Sequence, residues 1–149
     1  MLEEVIDEAT LAGCAEAIGV MRRLMRDTLE YARERKQFGV PLASFQALQH
    51  RMADMFMALE QADALTQSVA SCLDTLGRER ARAVSSAKVA VCKACRKVGQ
   101  GAVQLHGAMG MAEELAIGHY FRRTTVIESL FGPVDYHLRR CERLANAPT

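Results

Sequence analysis

Apolar residues recur three or four positions apart along three long segments of the chain. In the first segment the apolar stripe contains Leu11, Cys14, Ile18, Met21, Met25 and Ala32. In the second it contains Phe45, Leu48, Met52, Met55, Leu59, Ala62 and Val69. In the third it contains Val84, Ala87, Val91, Cys95, Val98, Ala102 and Leu105. This spacing is typical of antiparallel helices that pack at shallow angles.

Glycine and proline residues mark the ends of the predicted helices. Gly39 and Pro41 separate the first two helices, and the Ser44 hydroxyl is expected to cap the second. The second helix is expected to end near Gly77, which gives it about 30 residues and a length of about 45 Å. The two glycines of HGAMGM end the third helix.

The last part of the chain predicts two further helices. A less regular fourth helix is expected around Leu115–Leu130, and a short fifth helix from Val134 to about Leu144. Between them Gly132 is suited to a left-handed conformation, and the proline after it can begin a helix. No strand is predicted. We therefore predict an all-α fold, an up-down four-helix bundle with a short fifth C-terminal helix, as a single domain over residues 1–149.

The composition limits the classes of protein to which the chain can belong. Its 149 residues are 50% hydrophobic and 5% aromatic, and the formal net charge is +1. This balance provides no field that would recruit nucleic acid. No apolar run approaches the ~18 residues of a membrane span, and the acidic N-terminus does not resemble a signal peptide. We therefore expect a cytoplasmic protein that binds no nucleic acid and does not span a membrane.

Several large apolar side chains fall off or near the edge of these stripes, namely Leu24, Phe56, Phe121 and Phe131. Four long helices bury only part of their surface against one another, and surplus apolar surface often marks an oligomer interface. We therefore expect the chain to form at least a dimer.

Cysteines and histidines are the candidates for metal or redox chemistry. Cys92 and Cys95 form a C-x-x-C pair, but the pair lies inside a helical pattern with no second pair at zinc spacing. The histidines are far apart in the sequence. We therefore predict no metal site and interpret the thiols as packing residues. The alternative, C-x-x-C redox chemistry, requires an exposed thiol with a lowered pKa.

Two loops have a composition suited to ligand binding. The first, RERKQFG, places Arg33, Arg35, Lys36 and Gln37 at a helix C-terminus, before a glycine turn. These residues could interact with the helix dipole, or arginine could bind a phosphate bidentately. The second loop, QLHGAMGM, places Gln104 before two glycines. There a ligand can approach the backbone, and the amide can pair with the edge of a heterocycle.

Three segments match the motifs of a known family in the same order. YARERKQFGVPLASFQALQHRMADM is similar to a Y-x-x-x-R-x-x-F-G…F-Q…Q-x-x-x-A-D-M segment. QLHGAMGM is similar to a Q-x-x-G-G-x-G-aromatic loop, with Ala108 and Met111 as departures. HYFRRTTVIESLFG lies where the family has its R-D-A…E-G-T stretch. From about Ala12 to about Leu144, the chain therefore resembles the C-terminal helical domain of the acyl-CoA dehydrogenases.

The resemblance implies FAD as the cofactor and α,β-dehydrogenation of an acyl-CoA thioester as the reaction of the complete enzyme. In this family the C-terminal bundle of one subunit holds the ADP half of FAD across a subunit interface. The matching positions are Arg35, Phe38, Gln46, Gln104, Gly107 and Ala108.

The resemblance also implies that the catalytic base is missing. Counted from Arg122, the family's usual glutamate falls at Phe131, and the alternative position on the first helix falls at Ala9. Two acids lie near the usual position. Glu128 comes three residues early and Asp135 follows the proline, so neither matches the family's pattern and both are only minor candidates for a base. We interpret Glu128 as a surface or salt-bridging acid. We therefore expect no catalytic residue in this chain.

Within the family, the segments FGPVDYHL and ELAIGHYFRR resemble most the small subunit of pimeloyl-CoA dehydrogenase-type heteromers. We expect a fragment or a split-gene product that associates with itself or with a large subunit. Because the family's other two domains are not found in the sequence, the chain alone is expected neither to bind FAD tightly nor to oxidise acyl-CoA. The alternative is a helical scaffold with no ligand role.

Overall fold

The chain folds as a helical bundle. The computed structural model describes residues 2–74, 79–111 and 115–146. In these ranges the α-helices are α1 (Leu2–Glu34), α2 (Gln46–Cys72), α3 (Arg80–His106), α4 (Ala116–Ser129) and α5 (Val134–Ala145). Short 3-10 turns cover Leu42–Ser44 and Gly107–Met111. The predicted order of four main helices and a short fifth one is confirmed.

The expectation of no strand is wrong at one place. Between α1 and α2, β1 (Lys36–Gln37) pairs antiparallel with β2 (Val40–Pro41). The two residues between the strands, Phe38 and Gly39, have φ of 53° and 84°. Positive φ at both central residues is typical of the type I′ turn, whose twist matches that of the flanking strands. Strands of two residues are too short to produce a visible alternation of apolar and polar positions.

The start of α2 differs from the prediction in its cap. The helix begins at Gln46, and the residue before it, Phe45, makes no side-chain cap. The Ser44 hydroxyl instead donates to the Pro41 carbonyl at 2.7 Å, so it closes the preceding 3-10 turn. The helix ends at Cys72, and the end predicted near Gly77 lies outside the described residues.

The central helix is α3, which contacts α1, α2, α4 and α5. The first and third predicted stripes are buried throughout, and the second is buried from Met52 onward. Leu24, predicted as interface surface, is instead fully buried in the main core. The long α1 contacts α2, α3 and α4, so its buried face is wider than one stripe. Phe56 and Phe131 are exposed as expected.

A tight corner, residues 130–133, joins α4 to α5 and is here named the α4–α5 corner. Gly132 has φ of 108°, as predicted, but Phe131 before it also has a positive φ of 58°. The end of α4 is held from inside the bundle, where the fully buried Lys88 donates to the Ile127 carbonyl at 2.6 Å. Beyond the corner, α5 packs against α3.

Candidate functional site

The two loops with ligand-binding composition lie at the same end of the bundle. The α1 helix ends at Glu34 and α3 ends at His106. The Tyr31 and His106 rings stack with their centroids 4.3 Å apart, which fixes these two helix ends side by side. Since α2 begins where the β-hairpin ends, Gln46 belongs to this end as well. We name it the hairpin end, residues 35–46 and 104–108.

All of the cofactor-binding candidates at the hairpin end are exposed, namely Arg35, Phe38, Gln46, Gln104, Gly107 and Ala108. Phe38 is 93% exposed, and its only aromatic partner among the described residues is Phe45, in an edge contact at 6.4 Å between centroids. The Arg35 backbone is fixed on both sides, by bonds of 2.8 Å to the Tyr31 carbonyl and from the Leu42 amide. The bundle therefore presents these groups outward and does not enclose them.

Gln104 also lines an open groove between α2 and α3, with a volume of about 380 Å³. Its other lining residues are Arg51, Asp54, Met55, Lys97, Gln100 and Gly101. The sequence motifs did not point to Arg51 or Lys97, because only the packing of α2 on α3 brings them to Gln104. The Lys97 amine lies 3.4 Å from an Asp54 carboxylate oxygen, so the charge of Lys97 is more fully balanced than that of Arg51.

The two acids near the usual position of the base face an arginine. Glu128 forms an ion pair with Arg96 of α3. Asp135 is exposed in the first turn of α5, and its charge also acts on Arg96. Glu128 is therefore a salt-bridging residue, as predicted.

The Phe131 ring lies over α1. A Cβ atom placed on Gly13 would be 4.0 Å from the ring. Gly13 is one helical turn from Ala9, on the same face of α1. The two positions that the resemblance assigns to a base, Phe131 and Ala9, therefore lie on one surface of this bundle, and both hold uncharged side chains.

The buried thiols contradict the redox hypothesis. Cys92 and Cys95 are almost fully buried. Burial raises the pKa of Cys95 to about 12 and also raises the pKa of Cys92. A thiol that remains protonated is a poor nucleophile. Among the described residues, no three His, Cys, Asp or Glu side chains converge as a metal site would require.

The family model for the acyl-CoA dehydrogenase C-terminal domain matches residues 2–145. The chain belongs to the acyl-CoA dehydrogenase family. It is 35% identical over 136 residues to the acyl-CoA dehydrogenase IpdE2 of Mycolicibacterium smegmatis. That match covers 91% of this chain but 42% of the relative, so the chain spans less than half the length of this acyl-CoA dehydrogenase.

Solved structures share the fold of this acyl-CoA dehydrogenase domain. The ChsE4–ChsE5 complex from Mycobacterium tuberculosis matches with a TM-score of 0.89 and 28% identity, over 97% of this chain and 39% of that one. PigA, solved with FAD and proline, matches with a TM-score of 0.86 and 25% identity, over 93% of this chain and 36% of PigA. In the described part of the chain, no helix is long and apolar enough to cross a membrane.

Proposed function

We propose that this bundle holds the ADP half of FAD for an acyl-CoA dehydrogenase, across a subunit interface, without supplying the catalytic base. The observation that carries the proposal is the meeting of the two motif loops at one end of the bundle, with all the candidate side chains exposed. Exposed binding residues can contact only one side of a ligand, so a partner subunit would have to cover the other side.

The residues at the hairpin end fit a pyrophosphate and an adenine. Arg35 offers a planar guanidinium with paired donors for phosphate oxygens. Phe38 offers a rigid apolar face, and Gln46 and Gln104 offer amides. At Gly107 the backbone turns at φ of 62°, and a Cβ placed there would meet nothing within 4 Å, so a ligand can approach the main chain. When bound, FAD supplies the hydride acceptor of the dehydrogenation. This chain's residues would only bind and orient its ADP half.

The side chains at Phe131 and Ala9 support the second part of the proposal. A phenyl ring and a methyl group cannot accept the α-proton of an acyl thioester. We place this chain with the subunits that lack the base and pair with a chain that has one. Its structural similarity to the ChsE4–ChsE5 complex supports a heteromeric assembly. The exposed Phe56 and Met57 on α2 provide apolar surface for such an assembly or for self-association.

ADP binding tests the ligand part of the proposal. In NMR titrations of the labelled chain with millimolar ADP, we expect weak binding, with shifts confined to residues 35–46 and 104–108. Arg35→Ala should abolish these shifts because it removes the phosphate contact. Arg139→Ala, an exposed arginine of α5, should leave them unchanged. Arg22 of α1 would be a less suitable control, because replacing it would also break its ion pair with Asp63. Shifts that survive Arg35→Ala would contradict the proposal.

The second candidate function is a helical scaffold with no ligand role, which the exposed apolar residues of α2 would suit equally well. It predicts no response to ADP at the hairpin end. The absence of a base has its own test. Flavin bleaching by acyl-CoA in the purified chain would show that the chain is catalytic and would overturn that part of the proposal.

A further inference from the structure

A network of buried polar side chains, here called the buried network, connects α1, α3 and α5 to the α4–α5 corner. It begins at Asp7, whose carboxylate accepts two bonds from Arg140, at 2.5 and 3.2 Å. Arg140 also donates to the Ser85 hydroxyl at 3.3 Å. The Ser85 hydroxyl lies 3.1 Å from His137 Nδ1, and His137 Nε2 lies 3.1 Å from the Phe131 carbonyl. Each side chain of the buried network is at least nine-tenths buried.

The partners of His137 determine which ring nitrogen carries the hydrogen of the neutral ring. The Phe131 carbonyl can only accept, so Nε2 carries the hydrogen. Nδ1 is then an acceptor, and the Ser85 hydroxyl can donate to it while the Ser85 oxygen accepts from Arg140. In this arrangement both ring nitrogens are paired, as buried polar groups require.

A second proton on His137 would add a positive charge to a buried site that already holds Lys88 and Arg140. The Ser85 oxygen could accept from Nδ1, but its hydroxyl hydrogen would lose the acceptor that Nδ1 provides. Nε2 would keep its bond to Phe131, so the main cost of the second proton is the burial of charge. The charged groups that face His137 are Asp7 from α1, Lys88 from α3 and Arg140 from α5, and Tyr136 of α5 lies edge-on to the ring. Burial is the main cause that lowers the pKa of His137, and Lys88 and Arg140 lower it further against the opposing bond to Phe131.

The carbonyl that His137 holds belongs to a residue in a strained conformation. Positive φ is uncommon for a bulky side chain and costs about 1–2 kcal/mol per residue. Such conformations persist only when their surroundings determine them. At Phe131 the surroundings are the bond from His137 and the contact of the ring with α1.

We propose that His137 is a proton-sensitive positioning residue for the α4–α5 corner. The neutral ring fixes the Phe131 carbonyl and therefore the placement of the phenyl ring on α1. Because the buried site disfavours the charged ring, a fall in pH favours a state in which the ring leaves the site for water. The Phe131 carbonyl then loses its donor and the corner loosens. This role extends beyond the proposed binding of ADP, because it concerns a different region of the bundle and rests on none of the residues at the hairpin end.

Hydrogen exchange of the peptide that covers residues 128–137 tests this proposal, with rates corrected for the intrinsic pH dependence of exchange. From about pH 7.5 to about pH 5, which brackets the usual histidine pKa, protection in the natural sequence should fall roughly fivefold to tenfold. His137→Gln keeps an amide donor for the Phe131 carbonyl but cannot titrate, so its protection should not change with pH. His137→Ala should show low protection throughout.

The matched control is His50→Gln, which changes an exposed histidine of α2 and should behave like the natural sequence. Two results would overturn the proposal. One is protection that does not fall with pH in the natural sequence. The other is a fall in His137→Gln as large as in the natural sequence, which would assign the pH response to another group.

Discussion

The turn at Phe38–Gly39 and the turn at Phe131–Gly132 share a dipeptide and a backbone conformation. Both phenylalanines have positive φ, 53° and 58°, and both glycines follow with positive φ. Their surroundings differ. Phe38 is at a hairpin tip and is 93% exposed, whereas Phe131 is 44% exposed, with its carbonyl bonded to the buried His137. The first conformation is imposed by local strand pairing and the second by the packing of the corner against α1 and by the bond from His137 of α5, so the two turns should respond differently to mutation.

Among the changes that test this comparison, removing the Asp7 side chain should lower the free energy of unfolding most. Asp7→Ala leaves Arg140 buried without its carboxylate, which we expect to cost about 3–5 kcal/mol of unfolding free energy. Denaturant unfolding measures the loss, and hydrogen exchange should show it at the corner more than at the hairpin. Glu16→Ala breaks the exposed pair of α1 with Arg123 and should cost at most about 1 kcal/mol. Equal losses in the two variants would mean that the buried network does not stabilise the fold.

The glycines of the two turns should tolerate alanine unequally. At Gly39 an added Cβ meets nothing within 4 Å, so Gly39→Ala should cost only the backbone strain, about 1 kcal/mol. At Gly132 the Cβ would lie 2.6 Å from the Tyr136 ring, which adds a steric clash to the strain. We expect Gly132→Ala to cost about 2–3 kcal/mol, measured by thermal or denaturant unfolding. Similar costs at both positions would show that the Tyr136 ring moves aside freely.

A change of pH should affect one turn and not the other. His137 has a lowered pKa in the folded chain, so the unfolded chain binds the proton more readily. The stability it contributes is complete above its usual pKa of 6.5 and is lost as pH falls below that value. Over this range the natural sequence should lose more unfolding free energy than His137→Gln does. An identical pH dependence in both proteins would contradict this assignment.

The smallest expected effect concerns the strain at Phe38. Glycine adopts positive φ without the steric cost that alanine pays, so Phe38→Gly should be more stable than Phe38→Ala by about 1 kcal/mol. Both variants should lose the NMR response of the hairpin end to ADP, because both lack the ring. A more stable alanine variant would show that the turn relaxes out of the type I′ conformation.

The sequence was informative about the helices and the hairpin end, because both depend on local patterns. Apolar spacing located the core, and short motifs singled out two loops, with Arg35 and Gln104, that the fold brings to the same end of the bundle. It was less informative where polar residues are buried. Lys88 lies four residues after Val84 and three before Val91, which places it in the third apolar stripe. Asp7 similarly precedes Leu11 by one turn. A charged residue at stripe spacing was the available signal for a buried polar contact, but the partner lies 39 residues away for Lys88 and 133 residues away for Asp7.

The misplaced Leu24 and Ser44 have similar explanations. Leu24 lies off the first stripe, and only the packing of three other helices around α1 buries it. Ser44 has the right chemistry for a cap, but the 3-10 turn before α2 offers its hydroxyl a nearer carbonyl at Pro41. In both cases a local rule was overridden by neighbouring structure that the sequence pattern did not predict.

The apolar core of the bundle is divided unequally along its length. The main cluster extends towards the hairpin end and includes Ala32 and Leu105, whereas a smaller one is formed by Leu11, Val69, Val84 and Ala87. The smaller cluster adjoins the Asp7–Arg140 pair, so that end depends more on charge than on apolar packing. Partial unfolding should therefore start there. The end of the bundle that contains the Asp7–Arg140 pair can unfold locally while the hairpin end, which is proposed to bind ADP, remains folded.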